Sequence, residues 1–352
     1  MKKIYYITAV FATLFLVGCG DGIDLPGVNV ETDLNKIPLP DNNVNLEQVE
    51  LKPSTEPMLH EGLHTEEDFQ RIRDKKAAGE EPWVSAYQLL VESQFSQKTA
   101  DTYPTEWIKR GVSGDENYMN AARGATIAYQ QALRWKIEQD DEYAAKAVEN
   151  LNKWVQTCVG VTGNTNLSLA AGLYGYEFAI AGELLRDYGG WDRADFAAFQ
   201  NWLLKVFYPA NDDFLKRHHD TNALHYWANW CLCNIAAKMA IGIVTDRRDI
   251  YNEGIAHLQT GDTNGRLRRA IYHDYAPDYN FAQWQESGRD QGHTLMCVGL
   301  MGIICQLAWS QGDDFFAYDD NLFLRACEYA ACCNYTNETV PYTTYIWQKQ
   351  SQ

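Results

Sequence analysis

The sequence predicts an all-α chain wound as an α/α toroid, and three observations carry that prediction. After residue 58, apolar residues recur at helical spacing through nearly the whole of the 352-residue chain. The periodic segments lie next to one another with short connections, so they pair as helical hairpins. Alternating apolar–polar runs of the kind a half-buried strand needs are scarce. Repeated hairpins of this size suggest inner and outer helices alternating around a central cleft, as an incomplete barrel. A flatter helical solenoid is the competitor, but no fixed-period repeat supports it.

In chain order, the first segment reads MKKIYYITAVFATLFLVGCGDG. Lys2 and Lys3 give a basic start, residues 4–18 are mostly apolar, and LVGC ends the run at Cys19. That length and order suit an export signal better than a spanning helix. Small residues before a cysteine resemble the bacterial lipoprotein box. Cys19 is therefore expected to be lipidated, closing a signal over 1–19 and anchoring the exported chain at the periplasmic or outer membrane surface of a Gram-negative bacterium. Residues 20–58, rich in Asp, Asn and Pro without helical periodicity, read as a flexible tether. Residues 59–352 form the toroid domain. Its helices are expected at 66–77, 83–94, 118–138, 141–158, 167–188, 193–207, 222–245, 247–258, 290–311 and 319–334. Gly-Trp and Gly-Asp-Asp punctuation separates them. The last stretch, VPYTTYIWQKQSQ, brings aromatics but no closing helix. The toroid is thus expected to be incomplete, or the chain to be a piece of a longer protein.

Composition narrows the function. A formal charge of −17 disfavours a nucleic-acid partner, since affinity there rests on neutralising phosphates. An anionic polysaccharide remains open if a locally basic cleft sits within the acidic surface. The 11 Trp and 21 Tyr are accounted for mostly by burial, with a groove that stacks sugar rings as the functional reading. Eight cysteines follow Cys19, without a CxxC pair or a recurrent spacing to His. They read as buried thiols rather than zinc ligands. No metal and no cofactor is implied.

Four stretches could carry chemistry. In TGNTNLSLAAGLYGYEFA, Asn164 and Asn166 precede a helix; one can cap it while the other, Asn166, points into a cleft. In KRHHDTNALHYWANWCLCN, Asn222 and His225 are three apart, as are Trp227 and Trp230. That spacing shares a helix face, and it is read either as a buried stripe or as a catalytic His225 beside a sugar platform. In NGRLRRAIYHDYAPDYN, Arg266, Arg268 and Arg269 precede Tyr272, His273, Tyr275 and Tyr279. The stretch is either a solvated loop or a basic rim that draws in a carboxylated substrate, with Arg266, Arg269 and Tyr272 in contact. In QWQESGRDQGHT, a helix start would group Glu286, Arg289 and His293. A buried Glu–Arg pair is the structural reading. In the functional one Arg289 binds a carboxylate, Glu286 orients Arg289 or a sugar hydroxyl, Gln285 contacts the substrate, and His293 transfers or steers a proton.

One reaction asks for this set. A uronic acid polymer is cut by β-elimination when the C5 proton leaves and the C4–O bond breaks. The proton is weakly acidic until the adjoining carboxylate is neutralised, which Asn and Arg achieve by hydrogen bonding and charge. Tyr and His suit the proton transfers if nearby positive charge lowers the tyrosine pKa.

NALHYWANWCLCNIAAKMAIGIVTDRRDIYNEGI resembles the alginate lyase family, whose members carry an Asn-His element before YW and a later DRRDL-like stretch. GNTNLSLAAGLYGYEFAIAGELLRDY and QWQESGRDQGHT resemble its exported, Bacteroidetes-type branch. The similarity covers about residues 60–345. It implies an α/α toroid and metal-independent elimination on alginate or a related polyuronate. His225 directly precedes YW, whereas the better-known branch has one more residue between them. That branch also has an Arg followed by a catalytic Tyr on the helix after the basic loop. Arg289 falls in the Arg region, but His293 stands where the Tyr would be. The tyrosine is therefore sought elsewhere, first at Tyr275, then at Tyr272 and Tyr279. The catalytic set so implied is Asn166, His225, Tyr275, Arg289 and His293. A glycoside hydrolase using two carboxylates and a non-catalytic glycan-binding lipoprotein are the alternatives.

Overall fold

The structure, a computed structural model, describes residues 55–335, 339–347 and 350–351. The signal segment, Cys19 and tether residues 20–54 lie outside them. Twelve helices are assigned among the described residues: α1 Glu66–Ala77, α2 Trp83–Glu92, α3 Tyr118–Glu138, α4 Asp141–Thr157, α5 Leu167–Leu184, α6 Arg193–Val206, α7 Tyr208–Arg217, α8 Ala228–Val244, α9 Arg248–Thr260, the single turn α10 Leu267–Ala270, α11 Gln291–Ser310 and α12 Tyr318–Tyr335. Short strands pair in twos. β1 (Trp107–Arg110) lies parallel to β2 (Gly160–Gly163), and β3 (Ile271–Asp274) antiparallel to β4 (Ala282–Trp284). A last antiparallel pair joins β5 (Ile346–Trp347) to β6 (Gln350–Ser351).

Helices α3, α5, α8 and α11 form an inner row, each packed on the next, and α4, α9 and α12 pack on them from outside as hairpin partners. This is the α/α toroid that the paired periodicity predicts. Small residues let the inner helices approach. A Cβ on Gly172 of α5 would stand 2.5 Å from Cys233 Sγ of α8. Outside, aromatic edges lock the layers: Phe178 of α5 meets Trp154 of α4 at 5.4 Å and Trp202 of α6 at 5.1 Å. Polar caps fix several helix starts. Thr65 and Asp68 make a capping box on α1, and Asp140, Asp192 and Asp290 cap α4, α6 and α11.

The inner helices α5 and α8 run the same way. Gly172 meets Cys233 and Asn234 near their starts. Past the end of α5, Arg186 Nη2 donates to the carbonyls of Ile243 (3.2 Å) and Val244 (2.9 Å), the last residues of α8. The leading segment crosses these C-terminal ends. Arg248 donates to the carbonyls of Glu56 and Pro57, and Gln311, the C-cap of α11, bonds Leu59 and Glu61. His60 lies 3.1 Å from Asp246, just past α8. The opposite face, where α5, α8 and α11 begin, carries the polar stretches singled out above.

Two expectations are corrected. Residues 208–217 form α7, which sits directly behind α6 with Pro209 in its first turn, a position proline tolerates. Residues 222–227 are a turn, and α8 begins only at Ala228. No disulfide joins the eight cysteines after Cys19. Cys333 is exposed, Cys327 half-buried and the rest buried.

Candidate active site

The turn before α8 follows from Asn222. Its Oδ1 accepts from Leu224 N at 2.8 Å, while His225 N donates to its carbonyl at 2.9 Å. A side chain that satisfies local N–H groups in this way competes with helix. Asn222 and His225 thus share a turn rather than a helix face. His225 is half-buried, with its ring centroid 4.9 Å from that of Tyr226. Trp227 is the N-cap of α8 and is buried.

QWQESGRDQGHT also differs from the expected single helix start. Asp290 is the N-cap of α11, so Glu286 and Arg289 lie in the turn before it. A turn bond, Arg289 N to Glu286 O at 3.0 Å, still brings those two together. Gln285 and Glu286, read above as substrate contacts, are buried and already engaged. Gln285 Oε1 accepts from Ala228 N at 3.0 Å and Glu286 Oε1 from Asn229 N at 2.8 Å. The first free N–H groups of α8 are thus capped by side chains 57 residues away. The other Glu286 oxygen accepts from Arg289 Nη1 at 3.0 Å, and Cys297 Sγ lies 3.2 Å from Oε1. Burial raises the Glu286 pKa, opposed chiefly by Arg289. Arg289, held from below, lies over the Trp227 ring at 5.2 Å. Trp227 stacks on its other neighbour, Trp347, at 3.9 Å and 22°. His293 Nδ1 is 2.6 Å from Asp290 Oδ2. Burial works to raise the Asp290 pKa, but the His293 amide and ring and Arg289 together hold it low.

Asn166 is the N-cap of α5, yet its side chain does not cap the helix. Its Nδ2 donates to Asn164 Oδ1 at 3.0 Å, leaving its own Oδ1 for other use. The turn beside Asn166 meets the α8 turn through two contacts. His219 Nε2 lies 3.0 Å from Ser168 Oγ, and the Thr165 side chain is near enough to Tyr226 to oppose the rise of its pKa. Asn166, His225, Trp227 and Arg289 are therefore carried on neighbouring turns at one face of the inner row. Tyr226 and His219 belong to the same group and escaped the sequence reading. Their signal was the aromatic-histidine density of HHDTNALHYW.

The basic stretch is more internal than a rim. Arg268 pairs with Asp319, and Arg269 Nη1 donates to the Asp262 carbonyl. Burial lowers both arginine pKa values. Arg266 is the N-cap of α10 and half-buried. Tyr272 packs on Tyr345 at 4.8 Å. The Tyr275 hydroxyl donates to Gln283 Oε1 at 2.5 Å and lies 3.1 Å from Thr343 Oγ1, tying the β3–β4 hairpin to the arm at 339–347. Its pKa is raised by burial, with the Thr343 bonds opposing, whereas positive charge was expected to lower it. A cavity of about 260 Å³ lined by Asp101, Tyr103, Asn120 and Arg123 among others opens elsewhere, and none of the expected site residues lines it. Among the described residues no three His, Cys, Asp or Glu side chains are grouped to hold a metal ion.

With this geometry in place, comparison with known proteins is informative. Residues 72–338 match the family described as Alginate lyase. Among solved structures, an alginate lyase A1-III variant complexed with tetrasaccharide is 14% identical, with a TM-score of 0.58 over 77% of this chain and 78% of that one. Alginate lyase A1-III from Sphingomonas species A1 is 13% identical, with a TM-score of 0.54 over 79% and 80%. An alginate lyase from Bacteroides ovatus is 13% identical, with a TM-score of 0.53 over 76% and 81%. At such identities the likeness is one of fold. No curated protein matches the chain in sequence.

Proposed function

The chain belongs to the alginate lyase family and is a polysaccharide lyase acting on an anionic polysaccharide, and from that premise we propose how its residues cut a polyuronate such as alginate. The observation that carries the reading is Arg289, fixed by a buried carboxylate and presented over Trp227 beside the turns of Asn166 and His225. Trp227, buried between Arg289 and Trp347, seats the guanidinium rather than a sugar ring. Arg289 and the Asn166 amide neutralise the uronate carboxylate, and their hold strengthens as enolate-like charge develops. His225 takes the C5 proton. The released electron pair forms the C4–C5 double bond as the C4–O bond breaks. The leaving glycosidic oxygen collects a proton from Tyr226, whose pKa is raised by burial, so that its hydroxyl is protonated near neutrality. Nothing in this sequence of steps calls on a metal. His293, tied to Asp290, steers charge around Arg289.

Tyr275, the first tyrosine implied by the resemblance, has its hydroxyl spent on Gln283 and Thr343 and serves better as a fastener. A retaining or inverting hydrolase would need two carboxylates free to flank the bond. Glu286 caps α8 and Asp290 caps α11, which disfavours that pair. We also propose that the chain is exported and held at the periplasmic or outer membrane surface by a lipid on Cys19.

The test offers the full chain alginate, its mannuronate-rich and guluronate-rich blocks and a glucuronan, and follows the ultraviolet absorbance of the conjugated product. His225→Ala and Tyr226→Phe should each lose about 10²–10⁴-fold in kcat. Tyr275→Phe should keep most of it. Collapse in Tyr275→Phe with normal turnover in Tyr226→Phe would return the proton transfer to Tyr275. No unsaturated product from any polyuronate would sink the substrate reading.

A further inference from the structure

Four arginines are comparably buried, and three of them hold a carboxylate: Arg134 with Glu138, Arg186 with Glu183 and Arg325 with Asp274. The fourth, Arg110, holds none among the described residues. It closes β1, is 5% exposed, and its Nη1 is buried without a hydrogen-bond partner. The two acids that follow it in sequence are committed elsewhere. Asp115 binds Lys109 Nζ, and Glu116 accepts from Gly111 N, both at 2.5 Å. A buried cation without an anion is costly, because lost hydration is not repaid.

The side chain is nonetheless well placed. Its guanidinium lies over the Tyr118 ring at 4.6 Å, and Tyr118 stacks on Tyr174 of α5 at 6.4 Å and 11°. Its backbone is fixed too. Arg110 pairs with Gly163, where φ is +144° and an added Cβ would stand 1.7 Å from the Arg110 carbonyl oxygen. Only glycine permits that approach. Gly163 leads through Asn164 to Asn166, so Arg110 and Asn166 are set by the same strand pair.

The order of the inner helices places these groups along a line. Arg110 and Tyr118 stand at the start of α3, Asn166 at α5, Trp227 at α8 and Arg289 at the turn before α11. We infer that Arg110 is a carboxylate-binding subsite, taking the carboxylate of a uronate unit in the bound polymer other than the one being cleaved. The inference rests on the polyuronate reading above. The planar guanidinium offers the paired donors that a carboxylate accepts, and the arriving anion supplies the missing counter-charge. This makes Arg110 a specificity-determining residue, one that acts on binding rather than on the chemical step.

Steady-state kinetics on the full chain with size-fractionated uronate oligomers tests it. Arg110→Gln should raise KM roughly tenfold or more on oligomers long enough to reach the subsite, the scale of one lost charge-assisted contact. It should leave KM unchanged on the shortest oligomer cleaved, and kcat on both. Its thermal midpoint should not fall, because an uncompensated buried charge has been removed. A purely structural role predicts the reverse: lower stability, and losses of equal size at every length. If Arg110→Gln does not fold, Arg110→Lys, which keeps charge but not the fork, should show the same length dependence in milder form. Unchanged KM on long oligomers, or a loss independent of length, overturns the subsite while leaving the lyase reading intact. So does failure of both variants to fold. Absence of cleavage by the unmodified chain would instead strike the lyase reading itself.

Discussion

Single groups already set a pH dependence for the fold. Glu177 on α5 has one carboxylate oxygen buried without a partner, and burial pushes its pKa from 4.5 up to about 8, opposed by Tyr176. The native state keeps a proton there that the unfolded chain gives up. This contribution to stability is full below 4.5 and is lost as pH rises through about 8. His64, His218 and His257 act in the opposite direction. Burial lowers each from 6.5 to about 4. The native state refuses protons that the unfolded chain takes, so their contribution is present above 6.5 and is lost as pH falls toward 4. Thermal midpoints followed across pH should therefore decline on both flanks of a mildly acidic optimum. Glu177→Gln should flatten the alkaline flank and leave the acid one in place. An unchanged alkaline flank in that variant would show that Glu177 is ionised in the native state. None of this was legible in the sequence, because a pKa reports what surrounds a group rather than what the group is.

At the scale of the element, the helices were legible where periodicity and caps agree. The spans expected at 66–77 and 118–138 are those of α1 and α3. Helix α7 escaped because YPANDDFLKR is short, mostly polar and follows α6 without a gap. The turn at 222–227 escaped because HYWANW continues the helical spacing, while its decisive bonds belong to the Asn222 side chain and the cap beyond it. Clustering of polar groups in QWQESGRDQGHT was visible, and so was the Glu286–Arg289 pairing. What could not be seen is that Gln285 and Glu286 face the start of α8, since no local pattern records a partner 57 residues away. That cap makes a prediction. Glu286→Ala strands both Arg289 and the Asn229 N–H, and should cost about 3 kcal/mol in urea unfolding, in the range for breaking a buried pair. Glu286→Gln keeps an acceptor for Asn229 and should cost less, while turnover still falls as Arg289 loosens. Equal and small losses in both variants would show that the cap contributes little.

For the whole molecule, the toroid was legible because hairpins of similar length repeat, and the basic rim was not, because Arg268 and Arg269 turn inward to Asp319 and the Asp262 carbonyl. The proposed anchor is tested at this scale. Cys19→Ala should move the protein from the membrane fraction to the soluble one, and unchanged retention with lipid labelling would refute it. The path of residues 56–61 then acquires a meaning. This segment is strapped by Arg248, Gln311 and Asp246 to the ends of α8 and α11, opposite the turns that carry Asn166, Trp227 and Arg289. A body hung from that side stands with its back to the bilayer and its mouth toward the medium. If the proposed lipid at Cys19 is present, a long, stiff polyanion would meet the turns of Asn166 and Arg289 before it met the lipid surface.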